Sequence, residues 1–294
     1  MQLRNPPYKH SRLGRVDTVV YHSNCADGFC SAAIAHQHLR DSRFVSAQYG
    51  WDPHKELKMG GRTVLFVDFC PTEQVLNELI IPRWQHWYVI DHHISHGWIL
   101  NYDDPDRPHV QFNQNYCAAW IAWEFFNPGE HVPSLVRYVQ DRDLWIYELP
   151  WSREISAAIQ MWPHDFGHWD EQLQARDMDS WIDRGRETLE IFRSIYERTA
   201  MKSVLVDFNG VKVRMVNTST MISETCNHIL TTRQDVDTVI AFFFKDPETV
   251  VLCFRARAGT ECLSLGETVG AAGHPEACAC SLKYDQFYKV VRPA

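Results

Sequence analysis

Trp87-Tyr88-Val89-Ile90-Asp91-His92-His93 is an apolar run that stops on one carboxylate and two imidazoles. A buried strand takes apolar side chains, so titratable groups belong at its exit. Asp91, His92 and His93 are therefore a candidate site, although alone they fit a surface histidine pair equally well. Two other apolar runs end the same way. Residues 17–21 lead into His22 and, after Ser23-Asn24-Cys25-Ala26, to Asp27; residues 63–67 lead into Asp68. Carboxylates crowded together repel unless something cationic lies among them. Imidazole mixed with carboxylate suits a first-row divalent ion such as Mn, Fe, Co or Zn.

For these groups to meet, the strands that carry them must end on one rim. Helical patterns lie between the runs, so the strands are expected to be parallel, with their exits together. Ligands of open α/β sheets collect at that edge. Residues 1–15 are expected to form an arm or loop. A helix is expected after Gly28, with Asp27 or Ser31 as its cap and Ile34 and Leu39 on its buried face. Residues 44–49 read as a further strand. Pro71-Thr72 opens a helix whose apolar stripe is Val75, Leu76, Leu79 and Ile80. Residues 94–114 read as irregular, with turn chemistry at Asp103-Asp104-Pro105-Asp106. Apolar residues 116–126 form a buried helix, and residues 134–140 form another that runs into Asp141-Arg142-Asp143. A helix is expected over 151–162, then a long charged one over 169–200 that Gly185 weakens. From residue 203 the pattern changes to short strands at 204–208, 211–216, 239–245 and 249–255. A helix fits 222–230, and Asn209-Gly210 marks a hairpin.

The 294 residues suffice for two domains, and 45% apolar with 22% charged residues is ordinary for a globular protein. A formal charge of −8 argues against a basic clamp on long nucleic acid. It leaves room for a short oligonucleotide held by metal and a few arginines. Nine cysteines without a C-x-x-C pair are expected to be reduced thiols of a cytoplasmic protein. No apolar run is long enough to span a bilayer, so no membrane is expected. A homodimer is compatible with the sequence.

The ordered set of motifs resembles the DHH phosphoesterase family. Val89-Ile90-Asp91-His92-His93 is similar to the motif that names it, His22 through Gly28 to its first motif, and Phe66-Val67-Asp68 to its second. Asp141-Arg142-Asp143 resembles its fourth, in which an aspartate after a helix completes the metal site; Asp141 is the chosen ligand and Asp143 the alternative. Further on, Gly270-Ala271-Ala272-Gly273-His274-Pro275 resembles the glycine-rich motif of the DHHA1 domain, with Arg255 about where that domain carries an arginine. The resemblance implies an α/β, parallel-sheet DHH domain (1–165), a helical connector (166–201) and a smaller α+β DHHA1 domain (202–294).

It also implies two divalent ions, Mn first among Zn, Fe, Co and Mg, held by His22, Asp27, Asp68, His92 and Asp141. His93 would assist the leaving oxygen, Asp91 would orient a ligand or water, and Arg255, Gly273 and His274 would hold substrate. The expected activity is hydrolysis of short oligonucleotides, or of linear or cyclic dinucleotides, to mononucleotides. Alternatives are a phosphomonoesterase on a 3′,5′-bisphosphate and a disabled nucleotide-binding module. The first motif of the family carries two aspartates one residue apart, and here Cys25 takes the first place. A thiolate ligand there would favour Zn or Fe; otherwise water fills the position, or one metal has been lost.

Overall fold

The computed structural model describes residues 13–48, 51–57, 59–103 and 109–293. It divides into two compact units, Met1–Thr188 and Leu189–Ala294. The N-terminal arm expected at residues 1–15 falls largely outside the described residues, as do Asp104, Pro105 and Asp106 of the expected turn.

The first unit is built on a five-stranded sheet in the order β2-β1-β3-β4-β5. Its strands are β1 (Thr18–His22), β2 (Arg43–Ala47), β3 (Gly61–Val67), β4 (Trp84–Asp91) and β5 (Val110–Phe112). Every pairing is parallel. The strands are nearly continuous apolar runs because both faces are covered. Val19, Leu65 and Ile90 join a core with the helices Ala26–His38, Ala118–Phe126 and Ser134–Asp143. Their chain neighbours Val20, Phe66 and Val89 join a second core with Leu76, Leu79 and Ile80. Successive strand residues point to opposite faces, so one run of β-branched and aromatic residues feeds two cores.

Three stretches depart from the expectations. The segment 94–102 is a 3₁₀ helix, and Val110–Phe112 adds a parallel edge strand. Three residues are too few to show a period of two, so this strand had no legible pattern. The expected helix over 169–200 is two helices, Phe166–Leu173 and Asp179–Ala200. Trp169, Leu173 and Trp181 lie in the first core, so much of the expected connector packs with the first unit, whose boundary falls inside the second helix. Gly185, expected to be a weak point, has a packing reason: a Cβ there would overlap the Glu154 carbonyl oxygen.

The second unit carries a seven-stranded sheet in the order β10-β11-β9-β8-β7-β6-β12. These strands are β6 (Val204–Phe208), β7 (Val211–Asn217), β8 (Thr238–Asp246), β9 (Thr249–Ala256), β10 (Ala272–His274), β11 (Ala277–Lys283) and β12 (Val291–Pro293). All neighbours are antiparallel except β7 and β8, which flank the helix Ile222–Thr232. Asn209 and Gly210 turn β6 into β7 with φ of 50° and 84°, the left-handed pair that a two-residue hairpin requires. Among the described residues, no helix is long and apolar enough to cross a membrane.

Gly28 lets the first turn of the Ala26–His38 helix lie against β1, since a Cβ there would overlap the His22 carbonyl oxygen. Gly28→Ala must push helix and strand apart. It is expected to cost about 1–3 kcal/mol, read from the midpoint of urea unfolding without metal.

Candidate metal centre

The parallel sheet brings three strand ends to one rim. β1 ends at His22, β4 ends at Asp91, and Asp68 follows the last residue of β3. Asp68 has a φ of 53°, a left-handed conformation that an aspartate tolerates but seldom adopts. Its amide stays on the sheet, donating to the Ile90 carbonyl at 2.9 Å. Backbone strain of this kind gathers at functional sites.

The side chains converge around Asp68 and His92, which are 2% and 4% exposed. His92 Nε2 lies 3.6 Å from Asp27 Oδ2, 3.5 Å from Asp68 Oδ1 and 3.5 Å from Asp143 Oδ2. One imidazole nitrogen thus faces three carboxylates. His22 Nδ1 approaches Asp68 Oδ2 at 3.3 Å. Both Asp68 oxygens are buried and accept no hydrogen bond. An ionised carboxylate in that state is costly unless a cation meets it.

The ligand atoms group into overlapping sets whose members lie within 4.8 Å of one another: His22, Cys25 and Asp68; Asp27, His92 and Asp143; and Asp68, Asp91, His92 and His93. Asp68 thus has His22 and Cys25 on one side and His92 on the other. Nitrogen, thiol and carboxylate donors around orphaned oxygens fit a first-row divalent ion. Cys25 sits among the candidate ligands in the place where the family's motif has an aspartate.

Supporting contacts fix most of these groups. Asp91 Oδ1 lies 2.7 Å from His93 Nδ1 and accepts the backbone N–H groups of His92 and His93 at 2.7 and 3.2 Å. Asp91 Oδ2 lies 2.5 Å from Nδ1 of His96. Asp91 is therefore the anchor of two imidazoles rather than an open ligand. Sequence reasoning missed His96, which follows the strand exit by one 3₁₀ turn and has no legible partner until the fold supplies one. Asp27 or Ser31 is the expected cap of the first helix. That helix instead starts at Cys25 with no side-chain cap, and Asp27 accepts the N–H groups of Ala118 and Ala119, both at 2.8 Å. These open the Ala118–Phe126 helix, whose N-terminus favours an anion.

Of the expected ligand Asp141 and its alternative Asp143, it is Asp143 that stands with Asp27 and His92, while Asp141 is engaged elsewhere. Its carboxylate accepts the N–H groups of Glu148 and Leu149 at 3.1 and 3.3 Å and the Ser152 hydroxyl. It ties down the chain after the helix, and Asp143 faces His92 instead. Both lie on the Ser134–Asp143 helix, which continues past Asp141 for two residues. Positions two apart on a helix point in different directions, so only one of them can face the cluster.

Burial and crowding set the protonation states. Burial, then the Asp68 and Asp143 carboxylates, push Asp27 well above the usual carboxylate range. Burial also raises Asp143. Burial acts to raise Asp68 as well, but the imidazoles around it outweigh that and hold it low. Asp91 is held well below its usual range, the effect of burial being overcome by His93 and His96. Burial works against the His92 imidazolium, yet the surrounding carboxylates lift it to about 10. His93 is lifted to about 9, against burial, chiefly by Asp91. Burial and the neighbouring carboxylates raise the Cys25 thiol. Without metal, a protonated His92 serves as a cation within the cluster.

In the second unit, β9 residue Arg255 pairs with Ala277, and Ala277 pairs with His274 of β10. Residues in register lie on the same face of a sheet, so Arg255 and His274 share one. The Arg255 guanidinium already donates to the Phe254 carbonyl at 2.8 Å and to Ser223 Oγ at 3.1 Å. Gly273 has a φ of 148°, and a Cβ there would meet the Ala277 carbonyl at 2.5 Å.

No family model matches the chain. Among curated proteins, the uncharacterized protein R106 of Acanthamoeba polyphaga mimivirus is 28% identical over 244 residues, covering 77% of this chain and 55% of that protein. The chain thus spans about half the length of the curated relative it matches. Among solved structures, the DHH domain of a protein described as belonging to a family of ribosomal proteins superposes with a TM-score of 0.54 at 14% identity, over 94% of this chain and 84% of that one. The chain has the DHH fold. Exonuclease RecJ bound to manganese gives a TM-score of 0.53 at 13% identity, over 95% and 89% of the two chains. RecJ of Thermus thermophilus in complex with Mn2+ gives 0.52 at 13% identity, over 95% and 51%. The DHH fold accounts for both sheets, because these superpositions span nearly the whole chain.

Two outcomes follow from this geometry. Asp143→Asn is expected to weaken Mn2+ binding by about tenfold or more in calorimetry, the scale on which the shells of a metal site act, while leaving the metal-free fold intact. Asp141→Asn keeps most of the metal affinity and costs about 1–3 kcal/mol of stability, because one of the two acceptor oxygens becomes an NH2 group that faces donors. The second outcome concerns pH. The imidazoles of His92 and His93 are raised from 6.5 to about 10 and about 9, so their stabilisation is complete below pH 6.5 and gone above pH 10. Metal-free protein should lose unfolding free energy steadily across that window in urea titrations. Saturating Mn2+, which requires deprotonated imidazole, should flatten the slope.

Proposed function

We propose that this chain is a divalent-metal-dependent phosphodiesterase that cleaves short oligonucleotides, or linear or cyclic dinucleotides, to mononucleotides. The observation that carries the reading is Asp68, a buried carboxylate with no hydrogen bond to either oxygen, placed where two sets of candidate ligands meet. His22, Cys25 and Asp68 would hold one ion, and Asp27, His92 and Asp143 a second beside it, with Asp68 shared. Bound divalent ions lower the pKa of a coordinated water and take up charge developing on phosphoryl oxygens. Manganese is the first metal to test, because it is bound in RecJ structures of the same fold.

The residues around the ions divide the remaining work. Asp91 fixes His93 through Nδ1, so proton transfer would run through Nε2. His93 would donate a proton from Nε2 to the departing ester oxygen. Asp91 remains ionised and keeps the ring oriented. In the second unit, Arg255 and His274, which share one face of its sheet beside Gly273, are groups suited to holding a phosphate by charge-assisted hydrogen bonds. The acidic total charge of −8 suits a short substrate bound at a few points better than a long one bound along its backbone.

Asp68→Asn removes one ionised oxygen from the shared position. It is expected to lower turnover of a 5′-phosphorylated dinucleotide with Mn2+ by at least about a thousandfold, on the scale of charge stabilisation in such sites. Full activity in this variant would refute the assignment. A parallel assay on a 3′,5′-bisphosphate separates the phosphodiesterase from a phosphomonoesterase.

A further inference from the structure

Beside the metal cluster the first unit has a cavity of about 250 Å³ whose walls differ in chemistry. Its lining combines the polar His22, Asp68, His93 and His96 with an aromatic wall of Trp51, Phe69 and Trp98. Among the described residues, neither Asp27 nor Asp143 lines it, so it opens beside the His22 half of the cluster. Consecutive residues serve the two sides: the left-handed turn at Asp68 places its carboxylate among the ligands and lets Phe69 follow into the aromatic wall.

That wall is braced. The Trp51 and Phe69 rings meet edge to face at 5.7 Å. Trp98 meets Tyr102 edge to face at 5.8 Å, and the Tyr102 hydroxyl donates to Glu73 at 2.9 Å. Trp51, Phe69 and Trp98 all pack on the core beneath the sheet. Ligand pockets for larger molecules run from roughly 300 to 1,000 Å³. This cavity is therefore of a size for one base with its sugar and too small for a run of nucleotides. Aromatic faces accept any base, because every base has a π-face to stack. His96 has Nδ1 committed to Asp91, which leaves Nε2 for a polar edge of the occupant.

We infer that the cavity is a nucleoside pocket: it holds one base of the substrate against Trp51, Phe69 and Trp98 while the adjoining phosphate lies toward the ion that Asp68 would hold. The inference rests on the phosphodiesterase reading and adds to it which residues of this chain hold a base.

The test is calorimetric binding of AMP and of ribose 5-phosphate to the full chain with Mn2+, which needs no turnover. Wild-type protein is expected to bind AMP at least about tenfold more tightly, the scale of one stacked base. Trp98→Ala, which removes an aromatic wall, and Val75→Phe, which fills the cavity without emptying the core, should each bring the two ligands to nearly equal affinity. If Trp98→Ala does not fold, Val75→Phe carries the test. Equal binding of AMP and ribose 5-phosphate by the wild type, or a preference that survives in the folded variants, overturns the pocket. Dinucleotide turnover without that preference would remove the pocket and leave the phosphodiesterase standing. An AMP preference without any turnover would remove the phosphodiesterase instead.

Discussion

Charge compensation at Asp68 is the constraint around which the first unit is arranged. Asp27, Asp68 and Asp143 meet at one imidazole nitrogen, and water is largely excluded from them. Such a group of anions holds together only by retaining protons, by keeping a histidine charged, or by binding a cation. The surrounding carboxylates keep His92 charged, and the Asp68 oxygens, which accept no hydrogen bond, supply the place for a cation.

The rest of the unit serves that constraint. A parallel sheet sends every strand out on the same edge, so residues from three strand ends come together without any one of them being near another in sequence. Gly28 allows the first helix close enough to His22 for Asp27 to enter the cluster. The Ala118–Phe126 helix offers its N-terminal amides to Asp27, and the Ser134–Asp143 helix ends on Asp143. Asp91 works one layer out, fixing His93 and His96 through their Nδ1 atoms. The two faces of each strand carry separate cores, which leaves the strand exits as the place where polar groups can gather.

Much of this was legible in the residues. Apolar runs closing on His22, Asp68 and Asp91 announced strands with a polar exit, and helical patterns between them announced parallel pairing. The Asn209-Gly210 turn was readable because its backbone conformation demands those residue types. The edge strand Val110–Phe112 was not, being too short to show a period. The break between Leu173 and Asp179 was hidden because an amphipathic pattern persists across it, while the decision to stop was made by Trp169 and Trp181 docking on the core. His96 carried no local mark at all; its role exists only through Asp91, five residues earlier in the chain and adjacent in space.

The sequence by itself determined which residue types could bind a cation and which strand ends would present them, since strand burial and connection handedness follow from local pattern. It did not decide between Asp141 and Asp143. Both are aspartates at the end of one helix, and spacing along the chain treats them alike. Rotation about the helix axis separates them: one carboxylate turns to the amides of the following loop, and the other to His92. That rotation is set by how the helix packs against its neighbouring helices, a property of the whole unit and of no segment within it.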